Sequence, residues 1–372
     1  MTAEDRMRKA AKEFNELTDE HALERRLLAS QAAQKRAATL AAASAREIEL
    51  LHAQLETAHI ELAMYGEPDE QTPKWMSKPP KISKAKNYGT LLLQISDTHY
   101  GEYTDPAQMG GYNAYNVDIA KLRTQRLFEQ TIHIARTYFA GVEYDGIIVA
   151  LGGDIVSGTI HDELEMTNEL TIFESVKFAH DLLKPGLEML AEEFKNLHIV
   201  SVPGNHGRHF RKVTHKGFTA QNADTAIAKW LMDHFADEKN ITLHAPATVD
   251  AEFEQYGYKF SVEHGQAFRG GGAEIGSIGP VTRGTLRKGA QMTREGKPFE
   301  YLLLGHFHQY MPMLSSSRGY SVNGSLCGYD EYARGEHFAP EEPQQALSLI
   351  VPEFGVTHQT PIYVQNREAE KW

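Results

Sequence analysis

Cysteine is almost missing: Cys327 is the only one in 372 residues, so no intramolecular disulfide can form and a reducing compartment suits the chain. No stretch approaches the roughly 20 apolar residues of a membrane helix. The opening "MTAEDRMRKAAKEF" lacks the apolar core of a signal peptide. The expectation is a soluble, cytoplasmic protein with no membrane partner. Positive charge is also in deficit, with 38 Lys and Arg against 50 Asp and Glu and a formal net charge of −12. That balance argues against a surface coated for non-specific nucleic-acid binding and leaves room only for a local basic patch.

Glycine and proline are absent before Gly66 and Pro68. Residues 1–65 are instead rich in Ala, Glu, Arg and Leu, which favours a long helix. Leu23, Leu27, Ile48, Leu51, Leu55 and Leu62 fit one heptad seam, interrupted by Glu20, Ser30, Gln34 and Ser44. Two readings follow: a coiled-coil-like arm that makes a homo-oligomer, or a helical tether against the main domain. Residues 66–88 read as an extended Pro/Lys-rich linker, residues 89–365 as the main domain and residues 366–372 as a tail.

From residue 89 short apolar runs alternate with helical patterns. Strands are expected at 90–96, 146–152, 197–203, 258–264, 301–305, 320–326 and 346–352. Asn116 is placed to cap a helix with the core face Ile119, Leu122, Phe128, Ile132, Ala135 and Phe139. Further helices fit 168–194 and 222–236. The alternation, ending in a strand-rich third, predicts an α/β sandwich.

Five of these strands end in polar side chains: Asp97-Thr98-His99, Gly153-Asp154, Gly204-Asn205-His206, His264-Gly265 and Gly305-His306-Phe307-His308. Ligands of open α/β sheets bind at the carboxyl ends of strands. In an extended segment Asp97 and His99 share a face, so both can converge on one ion. Beyond a glycine bend, His306 and His308 can serve two neighbouring ions. Mixed imidazole and carboxylate donors suit Mn, Fe or Zn better than Ca. Two such ions outweigh the charges of Asp97 and Asp154, so the site favours an anion, and paired metals suit in-line displacement at phosphorus.

The ordered set Asp-x-His, Gly-Asp, Gly-Asn-His, His-Gly and Gly-His-x-His resembles the calcineurin-like metallophosphoesterase superfamily. The match spans about residues 90–310 and leaves the first 88 unexplained. The resemblance implies a four-layer α-β-β-α sandwich holding two divalent ions, Mn²⁺ foremost with Fe or Zn as alternatives. It implies that Asp97, His99 and His308 hold the first metal, that Asp154 bridges, and that Asn205, His264 and His306 hold the second. His206 would protonate the leaving oxygen while a hydroxide between the ions attacks phosphorus. The chain departs from the family at Gly207, where many members have an acidic residue. It departs again at Ser157, where the phosphoprotein phosphatases have an Asp supporting the acid histidine. Arg208 is the alternative group for neutralising the transition state.

Two basic segments adjoin these motifs. "GRHFRKVTHKG" (207–217) carries Arg208, Arg211, Lys212 and Lys216 and reads either as a substrate-contacting loop or as a solvated one. "FRGGGAEIGSIGPVTRGTLRKG" (268–289) reads as a flexible loop offering Arg269, Arg283, Arg287 and Lys288 to phosphate. The acidic "HDELEMTNELTIFE" (161–174) is placed to cap the site against bulky polyanions. Asp330 and Glu331 are candidates for receiving histidine N–H groups, or simply loop residues. His133, His180 and His234 fall in helical patterns and read as ordinary residues.

The leading function is a two-metal phosphodiesterase with nucleic acid as a candidate substrate, closer to the repair-nuclease and phage-type branch than to the phosphoprotein phosphatases. A phosphomonoesterase is the alternative. From another class, a non-catalytic assembly protein would act through the helical arm.

Overall fold

The leucines of strand β1 (Asn87–Ile95) face alternately in opposite directions: Leu91, Leu93 and Ile95 enter one core, and Leu92 enters another. That alternation organises the architecture. The computed structural model describes residues 4–9, 12, 73, 76, 87–268, 277–314 and 318–372. The chain divides into two units, Met1–His59 and Ile60–Trp372. In the first, residues 4–9 and 12 are helical. The rest of the arm expected over 1–65, with its seam, lies outside the described residues.

In the second unit, β1 is followed by α1 (Val117–Thr137), β2 (Val142–Leu151), α2 (Asp162–Thr167), α3 (Ile172–Phe194), β3 (Leu197–Ser201) and α4 (Ala223–His234). Then come β4 (Ile241–His244), β5 (Asp250–Gln255), β6 (Tyr258–Glu263), α5 (Ile278–Arg294), β7 (Tyr301–Leu304), β8 (Met311–Met313) and β9 (Gly319–Val322). Helix α6 (Glu331–Gly335), β10 (Gln344–Val351), β11 (Gly355–Tyr363) and α7 (Arg367–Glu370) complete it. One sheet has the order β11-β10-β1-β2-β3-β4, the other β5-β6-β7-β9-β8. Strands β1 to β4 run parallel to one another, as do β6, β7 and β9, whereas β10 pairs antiparallel with β1 and β11, β5 with β6 and β8 with β9.

Three cores separate four layers. Ile147, Val149 and Leu151 of β2 pack with Leu127 of α1, Leu183 of α3 and Ile227 of α4. Ile148 and Ala150 face the second sheet through Phe253, Phe260 and Leu303. On the far side of that sheet, Leu302 and Leu304 meet Val281 and Met292 of α5. Strands buried on both faces read as continuous apolar runs, which is why β1, β2 and β7 were visible in the sequence. Among the described residues, no helix is long and apolar enough to cross a membrane.

Asn116 caps α1 as expected, its Oδ1 accepting from Ile119 N at 2.8 Å. Leu122, expected on the core face, is 38% exposed, because the helix turns the fully buried Arg123 inward instead. The guanidinium Nη2 of Arg123 lies 3.1 Å from Glu370 Oε2, so the expected tail at 366–372 is a docked helix rather than a loose end. Met76, inside the expected linker, is buried in the core between the sheets. The flexible loop expected over 268–289 gives way to α5 from Ile278 onward. Its glycines serve packing: a Cβ on Gly284 would lie 2.6 Å from the Phe268 ring. Residues 269–276, with Arg269, lie outside the described residues.

Candidate metal centre

The polar strand ends leave their strands through left-handed turns. Asp97, His99, Asp154, His306 and His308 have φ of 52°, 47°, 51°, 73° and 54°. Non-glycine residues in this region store about 1–3 kcal/mol each, and such strain gathers at functional sites. Asp97 and His99 therefore do not share the face of an extended segment, as the sequence reading supposed. They turn toward one point while the backbone keeps pairing with the loop after β2, through Asp97 N to Gly153 O at 3.1 Å and His99 N to Asp154 O at 3.2 Å.

The seven side chains singled out in the sequence, with His206, gather at one edge of the two sheets. His99 Nε2 lies 3.2 Å from His308 Nε2, and His308 Nε2 lies 3.4 Å from Asp97 Oδ1. His264 Nε2 lies 2.8 Å from Asp154 Oδ2. Donor atoms of Asp154, His264 and His306 fall within 4.8 Å of one another, as do those of His99, Asp154 and His206. His264 Nε2 and Asn205 Oδ1 are buried and make no hydrogen bond. His264 Nε2 thus lies close to a carboxylate oxygen without hydrogen-bond geometry. Buried orphan donors of this kind fit a bound cation.

The electrostatics are in conflict without such a cation. Burial alone would lower the pKa of His264, but the Asp154 carboxylate reverses this and lifts it to about 10. His99 follows the same pattern, burial being overcome by Glu102, and rises to about 9. Burial drives His306 down to about 3 and His206 down to about 4. Burial would also raise Asp97, yet His308 and His264 hold its carboxyl below the usual range.

Several supporting groups were not visible in the sequence. Glu102 places Oε2 3.3 Å from His99 Nδ1, a charge-pair distance without hydrogen-bond geometry. Asp224, in the first turn of α4, accepts from the backbone N–H groups of Asp154, Ile155 and Gly204 at 3.0, 3.1 and 2.8 Å. Burial, aided by Asp154, lifts its pKa to about 6 despite those bonds. The loops after β2 and β3 also need Gly204, where a Cβ would lie 2.2 Å from both Asp154 N and Asp154 Oδ1. The backbone carbonyl of Ser157 receives His206 Nδ1–H at 2.7 Å. The Cys327 thiol is buried close to His99 and His308. Asp330 caps α6 through Ala333 N at 2.7 Å, and Glu331 accepts from Asp105 N at 2.8 Å.

Three of these basic residues, Arg208, Arg211 and Lys288, have partners within the fold. Arg208 donates to the backbone carbonyls of Phe210, Asn205 and Arg211 at 2.9, 3.0 and 3.0 Å, bracing its own loop. Arg211 pairs with Asp162 and Glu165 of α2, tying the basic loop to the acidic one. Lys288 is buried against Asp250 and Glu263, 2.9 Å from the latter. With Arg287 it lines a cavity of about 830 Å³ to which none of the seven candidate ligands contributes. The candidate ligands His99, Asp154, Asn205, His306 and His308 open instead into a cavity of about 550 Å³.

No protein-family model and no curated protein sequence matches the chain. Among solved structures it is similar to an archaeal phosphodiesterase, with 15% identity over 73% of this chain and 99% of that one and a TM-score of 0.35. It is also similar to Vps29 from Entamoeba histolytica complexed with Zn²⁺, at 11% identity over 73% and 99% of the two chains and a TM-score of 0.29. A hypothetical protein from Pyrococcus horikoshii shows 11% identity over 76% and 94%, with a TM-score of 0.38.

Proposed function

We propose that this chain is a phosphodiester hydrolase whose centre holds two divalent metal ions. Asp97, His99 and His308 hold one, Asn205, His264 and His306 the other, and Asp154 lies between them. The observation that carries the reading is the meeting of His99, His308 and Asp97, and of His264 and Asp154, at 2.8–3.4 Å, with His306 within 4.8 Å of the latter pair and with His264 Nε2 and Asn205 Oδ1 left without hydrogen bonds. The motif order of the calcineurin-like metallophosphoesterases and the helix–sheet–sheet–helix layering support it. Donors of mixed imidazole and carboxylate type favour Mn²⁺, with Fe or Zn as alternatives.

Divalent ions at this place supply Lewis acidity toward a phosphoryl oxygen and lower the pKa of water. The chain supplies the rest. Glu102 sets its charge beside the His99 ring, and Asp224 fixes the backbone that presents Asp154. His206 donates Nδ1–H to the Ser157 carbonyl, which leaves Nε2 facing the site; as the imidazolium, protonated on both nitrogens, it would deliver the Nε2 proton to the leaving oxygen. Arg208 holds the carbonyl of Asn205 in place. Arg208, Arg211 and Lys288 of the basic segments are engaged within the fold, so the diester reading rests on the metal ligands rather than on these three cations.

The test is turnover of bis(p-nitrophenyl) phosphate and of p-nitrophenyl phosphate by Mn²⁺-loaded protein. Diester turnover that disappears on chelation, returns with Mn²⁺ and is lost in His308→Ala is the expected result. Turnover of the monoester alone would replace the proposal with a phosphomonoesterase.

A further inference from the structure

The cavity at the metal centre has walls of unusual chemistry. Among the described residues that line it there is no lysine and no arginine. Its carboxylates beyond the ligands are Glu102 at the floor and Glu163, Asp330, Glu331, Glu341 and Glu342 further out. Three aromatic side chains stand open at its rim: Tyr103 at 41%, Tyr332 at 68% and Phe338 at 52% exposure. Tyr332 and Phe338 meet edge to face with centroids 6.1 Å apart. Of the basic loop, Arg208 is turned to the backbone carbonyls of Asn205, Phe210 and Arg211, and Arg211 is tied to α2 by Asp162 and Glu165.

A groove for a polynucleotide needs cations that follow successive phosphates. This wall offers the opposite charge outside the metal centre, so each phosphate beyond the reacting one is repelled. What it does offer is flat apolar surface for a ring, with carboxylate oxygens to accept N–H and O–H groups around it. A volume of about 550 Å³ lies within the roughly 300–1,000 Å³ of small-ligand pockets.

We infer that the substrate is a small nucleoside-type diester with a single phosphate, whose base lies on the Tyr332–Phe338 rim while the acidic wall rejects longer nucleic acids. This rests on the hydrolase reading above. Base stacking on one aromatic side chain amounts to a roughly tenfold effect or more in affinity.

The experiment uses the full chain loaded with Mn²⁺ and three diesters: methyl p-nitrophenyl phosphate, thymidine 5′-p-nitrophenyl phosphate and a single-stranded oligothymidylate. The thymidine ester should exceed the methyl ester in kcat/KM by about tenfold or more. Tyr332→Ala and Phe338→Ala, both at exposed positions, should each cut that advantage severalfold, mainly through KM. Cleavage of the oligothymidylate should be slower per diester and should quicken between roughly 50 and 200 mM salt, where a basic groove loses rate. Glu163→Gln with Glu342→Gln should quicken it at low salt. Preference for the oligothymidylate, or a rate on it that falls with salt, overturns the inference. So does a thymidine preference that survives both aromatic substitutions. Turnover of all three without preference overturns the inference alone, whereas turnover of none overturns the hydrolase reading with it.

Discussion

Replacing Glu370 with alanine removes the charged partner of a guanidinium that has no access to solvent. Arg123 donates to Glu370 Oε1 at 3.2 Å and Oε2 at 3.1 Å. It also donates to the carbonyls of Leu326, Cys327 and Ala114 at 3.1, 2.8 and 3.0 Å, and to Asn113 Oδ1 at 2.9 Å. Breaking a buried pair by deleting one member costs about 3–5 kcal/mol, because an uncompensated charge remains. Four neutral acceptors stay in place around Arg123, so the lower end, about 3 kcal/mol, is expected. At about 2–4 °C per kcal/mol for a unit of this size, Tm should fall by roughly 6–12 °C. Urea unfolding at pH 7 of native, Glu370→Ala and Glu370→Gln proteins measures this, with Gln intermediate. Burial would raise the Glu370 carboxyl, but Arg123 outweighs it and holds the pKa below the usual range. The contribution is therefore complete at neutral pH and is lost as pH falls through that lowered value. The consequence reaches the site, since Leu326 N donates to Asp97 O at 3.1 Å, and metal uptake should weaken along with stability. A loss under about 1 kcal/mol at pH 7 would refute the reasoning.

Metal uptake should release protons. His99 and His264 have pKa values raised to about 9 and about 10, so both are protonated at pH 7 in the metal-free protein and must become neutral to ligate. Calorimetry of Mn²⁺ binding in buffers of different ionisation enthalpy should count about two protons, with affinity rising up to about a hundredfold per pH unit from 6 to 8. A pH-independent affinity would contradict this. Gly204→Ala should lower diester turnover by about a hundredfold or more, because its Cβ meets backbone as well as side chain of Asp154; activity within twofold of native would show the loop can yield. Glu102→Gln should weaken Mn²⁺ binding by about 10- to 100-fold in a chelator competition, and an unchanged affinity would remove it from the supporting role.

The strand-end residues were legible because their chemistry is local: a polar side chain directly after an apolar run marks the place where a core strand surfaces. The apolar runs of β1, β2 and β7 announced themselves for the same reason. The short strands β4, β5 and β8 did not, since β5 alternates polar and apolar residues and β4 and β8 have only four and three. Asp224 could not be found by motif reading, because its three backbone donors come from two loops brought together only in the fold. Glu102 did carry a weak local signal, three residues after His99. The partners of the basic residues were not legible: Arg208, Arg211 and Lys288 each meet an acceptor that the fold brings from its own loop or from elsewhere in the chain. Glycines in 268–289 suggested looseness where they permit a helix to press against Phe268.

Asp97 stands at the end of the first sheet, yet its carboxylate accepts the backbone N–H of His306 from the second, at 2.9 and 3.1 Å. The candidate ligands thus straddle a seam, and whatever separates the sheets separates these side chains. Demetallation and parting of that seam should then behave as a single event: a chelator acts as a denaturant for the joint, and heat acts as a chelator.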